Sequence, residues 1–228
     1  MSGAAAWLES LNALVGGLFL LAGFGLVAVR QVQACVRLFV TLSLLLAASA
    51  FLLSALGQNR DLAVVGAVDL LTKVLLIPRL LRRLLPEEVY TRREVVQVLN
   101  IPAALLLALG FALAGFLASL PLLAAGTPPP GARVNLPIGL AGLFIGGLTA
   151  AVRREAVPLF LGLLAMENAA FFAGIAVAPE MPLLAEVAIA FDVLILVFVV
   201  GLLTRTVHEH IGTTEVGRLD SLQEDGRP

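Results

Sequence analysis

The chain has 228 residues, 60% of them hydrophobic and only 14% charged, with a formal net charge of −1 and a mean hydropathy of +1.01. A soluble domain carries about 25% charged residues, so a water-solvated globule is a poor fit, and the near-neutral balance leaves no basic footprint for nucleic acid. Cys35 is the single cysteine, which excludes an internal disulfide and a cysteine-rich metal cluster.

Long apolar stretches recur along almost the whole chain, without the period-two alternation of barrel strands. They predict an all-α, polytopic membrane protein. In chain order the stretches are residues 11–29, 38–57, 62–77, 101–125, 136–152, 157–178 and 183–203. That makes about seven transmembrane helices, each near the ~17–25 residues a crossing needs, the third and fifth being short. They form one transmembrane domain over residues 1–203, followed by a polar cytoplasmic tail over residues 204–228. The first stretch has no basic residue before it, whereas Arg30 and Arg37 follow it. A secretory signal has the opposite order, so this stretch reads as a retained span.

Arginine placement sets the expected topology. Alternate connections put Arg30, Arg37, Arg79, Arg82, Arg83, Arg92, Arg93, Arg153, Arg154, Arg205, Arg218 and Arg227 on one side, and only Arg60 and Arg133 on the other. An excess of Lys and Arg marks the cytoplasm, which puts the N-terminus outside and the C-terminus in the cytoplasm. Asn100-Ile101-Pro102 and Asn135-Leu136-Pro137 each place a capping side chain ahead of a first-turn proline, where the missing N–H costs little. Residues 126–134, with Pro128-Pro129-Pro130, read as an exposed, stiff external connection. Gly142 and Gly146 form a small-xxx-small pair suited to close helix packing.

Against this apolar background, Asp69, Lys73, Glu167 and Asp192 fall near the middle of predicted spans, with Glu186 nearer an edge. A charge at a helix centre costs about 2.5–3.5 kcal/mol on insertion scales, and such residues face a protein interior or a water-filled path. Asp69 and Lys73 are four apart and share a helix face. They form either a structural pair that lowers the insertion cost or a switchable pair in a proton path. Glu167, with Asn168 beside it, has no sequence-local cation and must meet a partner, water or a proton. Asp192 is about nine residues into the last span, roughly 13 Å deep; Glu186 is shallow enough to snorkel outward. Four charges thus share one depth on three helices, as in the proton relays of pumps and transporters.

His208 and His210 are two apart, on different sides of a helix, with no third histidine. No Gly-rich phosphate loop, GxSxG or HExxH occurs. The sequence therefore assigns no catalytic residue, metal ligand or cofactor to this chain.

At these residues the sequence resembles hydrogenase-4 component E. The resemblance lies in Arg153-Arg154-Glu155-Ala156-Val157 running into Gly162-Leu163-Leu164-Ala165-Met166-Glu167-Asn168. It also lies in Lys73-Val74-Leu75-Leu76-Ile77-Pro78 with Arg82-Arg83, in Asn100-Ile101-Pro102-Ala103, in Phe191-Asp192-Val193-Leu194, and in His210 with Arg218-Leu219-Asp220-Ser221-Leu222. It runs from about Asp69 onward, while the first two spans match in hydropathy alone. Residues 136–203 are also similar to the K subunit of complex I. There Met166-Glu167-Asn168 matches the middle-helix glutamate and Glu186-Val187-Ala188-Ile189 the second membrane glutamate. Asp192 rests on component E alone.

The resemblance implies a membrane-arm subunit of a group 4 nickel-iron hydrogenase-like, complex-I-related assembly in a bacterial or archaeal cell (inner) membrane. Its proton path would comprise Glu167, Lys73, Asp192, Asp69 and Glu186. Its neighbours would be antiporter-like membrane subunits and peripheral hydrogenase-like subunits that hold Fe–S clusters and nickel-iron, with membrane lipid around them. The competing reading is a subunit of a cation/proton antiporter without a redox partner. A purely structural membrane spacer is a third. A retinal-type receptor needs a late Schiff-base lysine, and the only lysine here is Lys73.

Overall fold

The computed structural model of the chain describes residues 3–57, 60–84, 98–126, 128, 131–177 and 201. The regular elements among them are all helical: α1 (Gly3–Ala28), α2 (Val32–Gly57), α3 (Arg60–Asp69), a π-helical segment (Leu70–Leu76), α4 (Ile77–Leu84), α5 (Ile101–Ala125), α6 (Asn135–Val152) and α7 (Ala156–Val177). Among the described residues, α1, α2, α5, α6 and the Val157–Val177 part of α7 are five helices long and apolar enough to cross a membrane. The seventh predicted stretch, apart from Gly201, lies outside the described residues, as does the tail.

Two helices are longer than their apolar stretches. α1 starts at Gly3 rather than at residue 11, because Ala4-Ala5-Ala6 are strong helix formers that need no apolar periodicity. α2 starts at Val32 rather than at residue 38, with three residues between it and the end of α1 at Ala28. The third predicted stretch is a composite. Asp69 and Ile77, which flank the π segment, both keep right-handed helical dihedrals, so the path stays helical from α3 into α4. The Ile77 N–H bonds Thr72 O, five residues back, and Pro78 follows with no N–H to restore the ordinary ladder.

Small residues set how closely the helices approach. A Cβ at Gly139 would collide with the backbone of Ala169 and Ala173, one at Gly146 with Met166, and one at Gly162 with Ala150. α6 and α7 therefore touch backbone to backbone along their length. Gly142 faces Ala169 and Phe19, so the Gly142/Gly146 spacing serves packing within the chain. Phe19 of α1 stacks on Phe172 of α7 with centroids 4.6 Å apart. α5 leans on α6 through Ala104, Ala108, Ala112 and Gly115, while Leu106, Leu109 and Leu113 point away and are exposed. That division suits a helix with one small-residue packing stripe and a lipid-facing remainder.

Two buried polar joints hold α1 in the bundle. Asn12 of α1 donates to Asn135 Oδ1 at 2.7 Å and to Gly131 O at 2.9 Å. Ser49 of α2 donates to Asn12 Oδ1 at 2.7 Å, and Asn135 Nδ2 donates to Ser49 Oγ at 2.8 Å. These bonds close a ring among three fully buried side chains. Two expectations are corrected by it. Asn100 does cap its helix, accepting from the Ala103 N–H at 2.9 Å, but Asn135 does not. It is the first residue of α6 and no side chain caps that helix, because its amide is spent on the ring. Nor is the connection before it wholly exposed: Ala132 is buried, and Gly131 turns inward at φ +82°. A side chain there would also press on Leu56 and Glu9, so only glycine fits the turn.

The second joint is Arg153, in the turn between α6 and α7 and buried. Its Nη2 donates to Leu26 O at 2.8 Å, Val29 O at 2.7 Å and Val27 O at 3.3 Å. A guanidinium thereby caps the negative end of the α1 dipole. Burial draws its ionisation below the ordinary arginine value, partly offset by the nearby Glu155 carboxylate.

Candidate ion site

Lys73 sits inside the π segment with only 2% of its surface exposed. An ammonium taken out of water needs acceptors around it, and three side chains supply them. Asp69, one turn earlier, places Oδ1 3.0 Å from Lys73 Nζ. Glu167 of α7 places Oε1 at 3.1 Å. Asn168 of α7 accepts from Nζ through Oδ1 at 2.8 Å. The Phe171 ring, one turn beyond Glu167, lies 5.0 Å from Nζ and adds a cation–π contact.

The α6–α7 contact helps set this geometry. Gly146 lets α6 press on the backbone of Met166, the residue before Glu167 and Asn168. Asn168 Nδ2 in turn donates to Ser43 Oγ of α2 at 2.8 Å. The site thus draws on three chain regions: α2, the α3–π helix, and α7.

The carboxylates are not saturated. Asp69 Oδ2 and Glu167 Oε1 are buried with no hydrogen-bond partner among the described residues, Glu167 meeting Lys73 at ion-pair distance but not in hydrogen-bond alignment. Their side chains stay 12% and 20% exposed, so they are less enclosed than the lysine. A cavity of about 20 Å³ adjoins them, walled by Leu46, Val65, Val68, Phe171 and Ile175; about 10–15 Å³ suffices for one water. When all three groups are ionised, one ammonium faces two carboxylates and one negative charge is unbalanced. A proton on either carboxylate removes that imbalance.

The structure brings together Asp69, Lys73 and Glu167; their shared depth in the sequence left open whether these faces meet. Asp192 and Glu186 lie outside the described residues, and so do His208 and His210. No group of three His, Cys, Asp or Glu side chains suited to a metal occurs among the described residues. Sequence reasoning passed over Ser43 and the π helix. Pro78 was the available sign of the second; Ser43 gave none, being one small hydroxyl in a long apolar run.

The chain is 29% identical over 210 residues to an uncharacterized protein of Mycobacterium tuberculosis, covering 92% of this chain and 94% of that protein. It is 28% identical over 217 residues to hydrogenase-4 component E of Escherichia coli strain K12, covering 92% and 95%, and equally to that of Shigella flexneri. The similarity therefore reaches the first two helices, where the sequence reading had matched hydropathy alone. No family model matches the chain, and no solved structure matches it. Among its described residues the chain is multi-helical with membrane-compatible spans, and it is distantly similar to hydrogenase-4 component E.

Proposed function

We propose that this chain is a membrane-arm subunit of a hydrogenase-4-like, complex-I-related assembly, and that Lys73, Asp69 and Glu167 form one station of its proton or ion path. The observation that carries the reading is a buried ammonium shared between carboxylates on two helices, next to a water-sized cavity. A purely structural ion pair needs one partner, and its remaining acceptors are normally satisfied. Here a second carboxylate is present and acceptor atoms are left over. Proton uptake by one carboxylate leaves Lys73 paired with the other, so the ammonium never loses all its charged partners. Asp192 and Glu186 extend the path within the same chain, towards neighbouring subunits.

The membrane frame follows the arginine distribution. Residues 60–84 form a sixth crossing, about 37 Å long at 1.5 Å per residue, and residues 183–203 a seventh. The N-terminus is outside and the tail is in the cytoplasm of a bacterial or archaeal cell. Antiporter-like membrane subunits and peripheral subunits holding Fe–S clusters and nickel-iron are the partners this role requires.

The test is to purify the chain with its native partners and compare wild type with Glu167→Gln. Coupled ion movement is expected to fall at least about tenfold while the complex stays intact. Undiminished pumping by an intact Gln variant overturns the ion-path reading. Recovery of antiporter-type subunits with no redox subunit moves the assignment to a cation/proton antiporter.

A further inference from the structure

Two of the three acceptors around Lys73 change charge when they take up a proton; the third does not. Asn168 Oδ1 lies 2.8 Å from Nζ, closer than either carboxylate oxygen. An amide has one accepting and one donating end, and only the oxygen suits an ammonium. Turned over, Asn168 would present N–H groups to a cation. The ammonium, a donor only, therefore selects the oxygen end, and Ser43, whose Oγ accepts from Asn168 Nδ2 at 2.8 Å, anchors the other end of the amide. Ser43 and Asn168 are both fully buried, so water does not compete for these bonds. The only charged residue of α2 is Arg37, in its second turn, yet through Ser43 this helix reaches the ion site. Among the described residues, the charged groups facing Lys73 are Asp69 on its own helix and Glu167 on α7; α2 presents none.

We propose that Ser43 and Asn168 are positioning residues of the ion site: Ser43 anchors the Asn168 amide in place, and Asn168 keeps the Lys73 ammonium at one point between Asp69 and Glu167 while those carboxylates gain and lose protons. The proposal rests on the reading of Lys73 and Glu167 as an ion-path station. The hold of a neutral acceptor on an ammonium is the same before and after a carboxylate is protonated, whereas the hold of each carboxylate is not. With the tie in place, a proton moves between fixed groups. Without it, the lysine follows whichever carboxylate is charged, and each transfer has to wait for the side chain to return.

The experiment compares Ser43→Ala, Ser43→Thr and Glu167→Gln in the assembled complex, in native membrane vesicles, with coupled ion movement recorded across a pH series. Ser43→Ala is expected to lower the flux about three- to tenfold, the range for one lost buried hydrogen bond. It should also displace the pH of half-maximal flux by about half a unit or more. Ser43→Thr, which keeps the hydroxyl, restores both. If Ser43→Ala matches wild type, lowers the flux without moving the pH profile, or is matched in its defect by Ser43→Thr, the positioning role is overturned. With a defective Glu167→Gln control, those results leave the ion-path reading standing; a fully active Glu167→Gln removes that reading first. Should Ser43→Ala not assemble, Ser43→Cys, nearly isosteric but a weak acceptor, takes its place under the same criteria.

Discussion

Two of the buried polar clusters among the described residues are built on opposite rules. The ring of Asn12, Ser49 and Asn135 is neutral, fully buried and closed on itself, with each side chain both donating and accepting. The Lys73 cluster is charged, has acceptor atoms to spare, and keeps its carboxylates partly open beside a cavity. Inside a bilayer, a satisfied neutral ring behaves as a rivet: changing any bond costs energy and gains nothing. A charged cluster with one acidic group too many can place a proton on either carboxylate, which is what the proposed ion path requires of it. Both clusters draw on α2, and both use asparagine. The difference lies in the bookkeeping of donors and charge, not in residue type.

That contrast is sharpest at Lys73. Lys73→Met leaves two carboxylates buried without their cation, and removing one partner of a buried pair costs about 3–5 kcal/mol. Thermal stability of the purified complex is expected to fall accordingly. Adding Asp69→Asn to that variant should recover part of the loss; strictly additive losses would show the two residues to be uncoupled.

The ring gives a smaller effect of a different kind. Asn12→Leu or Asn135→Leu breaks hydrogen bonds between membrane helices, worth about 0.6–1.7 kcal/mol. Stability should drop by that amount while ion movement per intact complex is unchanged. A reduced flux per complex would erase the distinction between rivet and relay. The smallest effect belongs to Asn100→Ala, which removes an exposed helix cap outside both clusters. It should cost about 0.5 kcal/mol, the low end for such caps, and leave the flux untouched.

The charged members of the candidate site were legible in the sequence because charge in an apolar run is costly and so conspicuous. Spacing of four gave the Asp69–Lys73 pair, whereas the lack of a local cation near Glu167 left a partner, water or a proton equally open. The neutral members were not legible in the same way. A serine in a membrane helix can satisfy its hydroxyl on the preceding turn of its own backbone, as Thr41 does on Arg37 O and Thr72 on Val68 O. Ser43 and Ser49 therefore resemble any other tolerated hydroxyl until their cross-helix partners are seen. Asn135 misled for a related reason: ahead of a proline it has the pattern of a cap, and its engagement by Asn12 and Ser49 depends on residues 86 and 123 positions away.

By itself the sequence determined the helical class, the location of most apolar helices, and the identity of the ionisable groups that need an explanation. Hydropathy and the cost of burying charge act locally, so they are written residue by residue. The tertiary structure decided which of those groups meet, that Lys73 is placed in a π-helical turn, and that Asn168 and Ser43 complete its surroundings. Those outcomes depend on how closely α6 and α7 approach through Gly139, Gly146 and Gly162, and on where α2 lies beside them. Contacts of that kind depend on the geometry between helices, which no single stretch of the chain specifies.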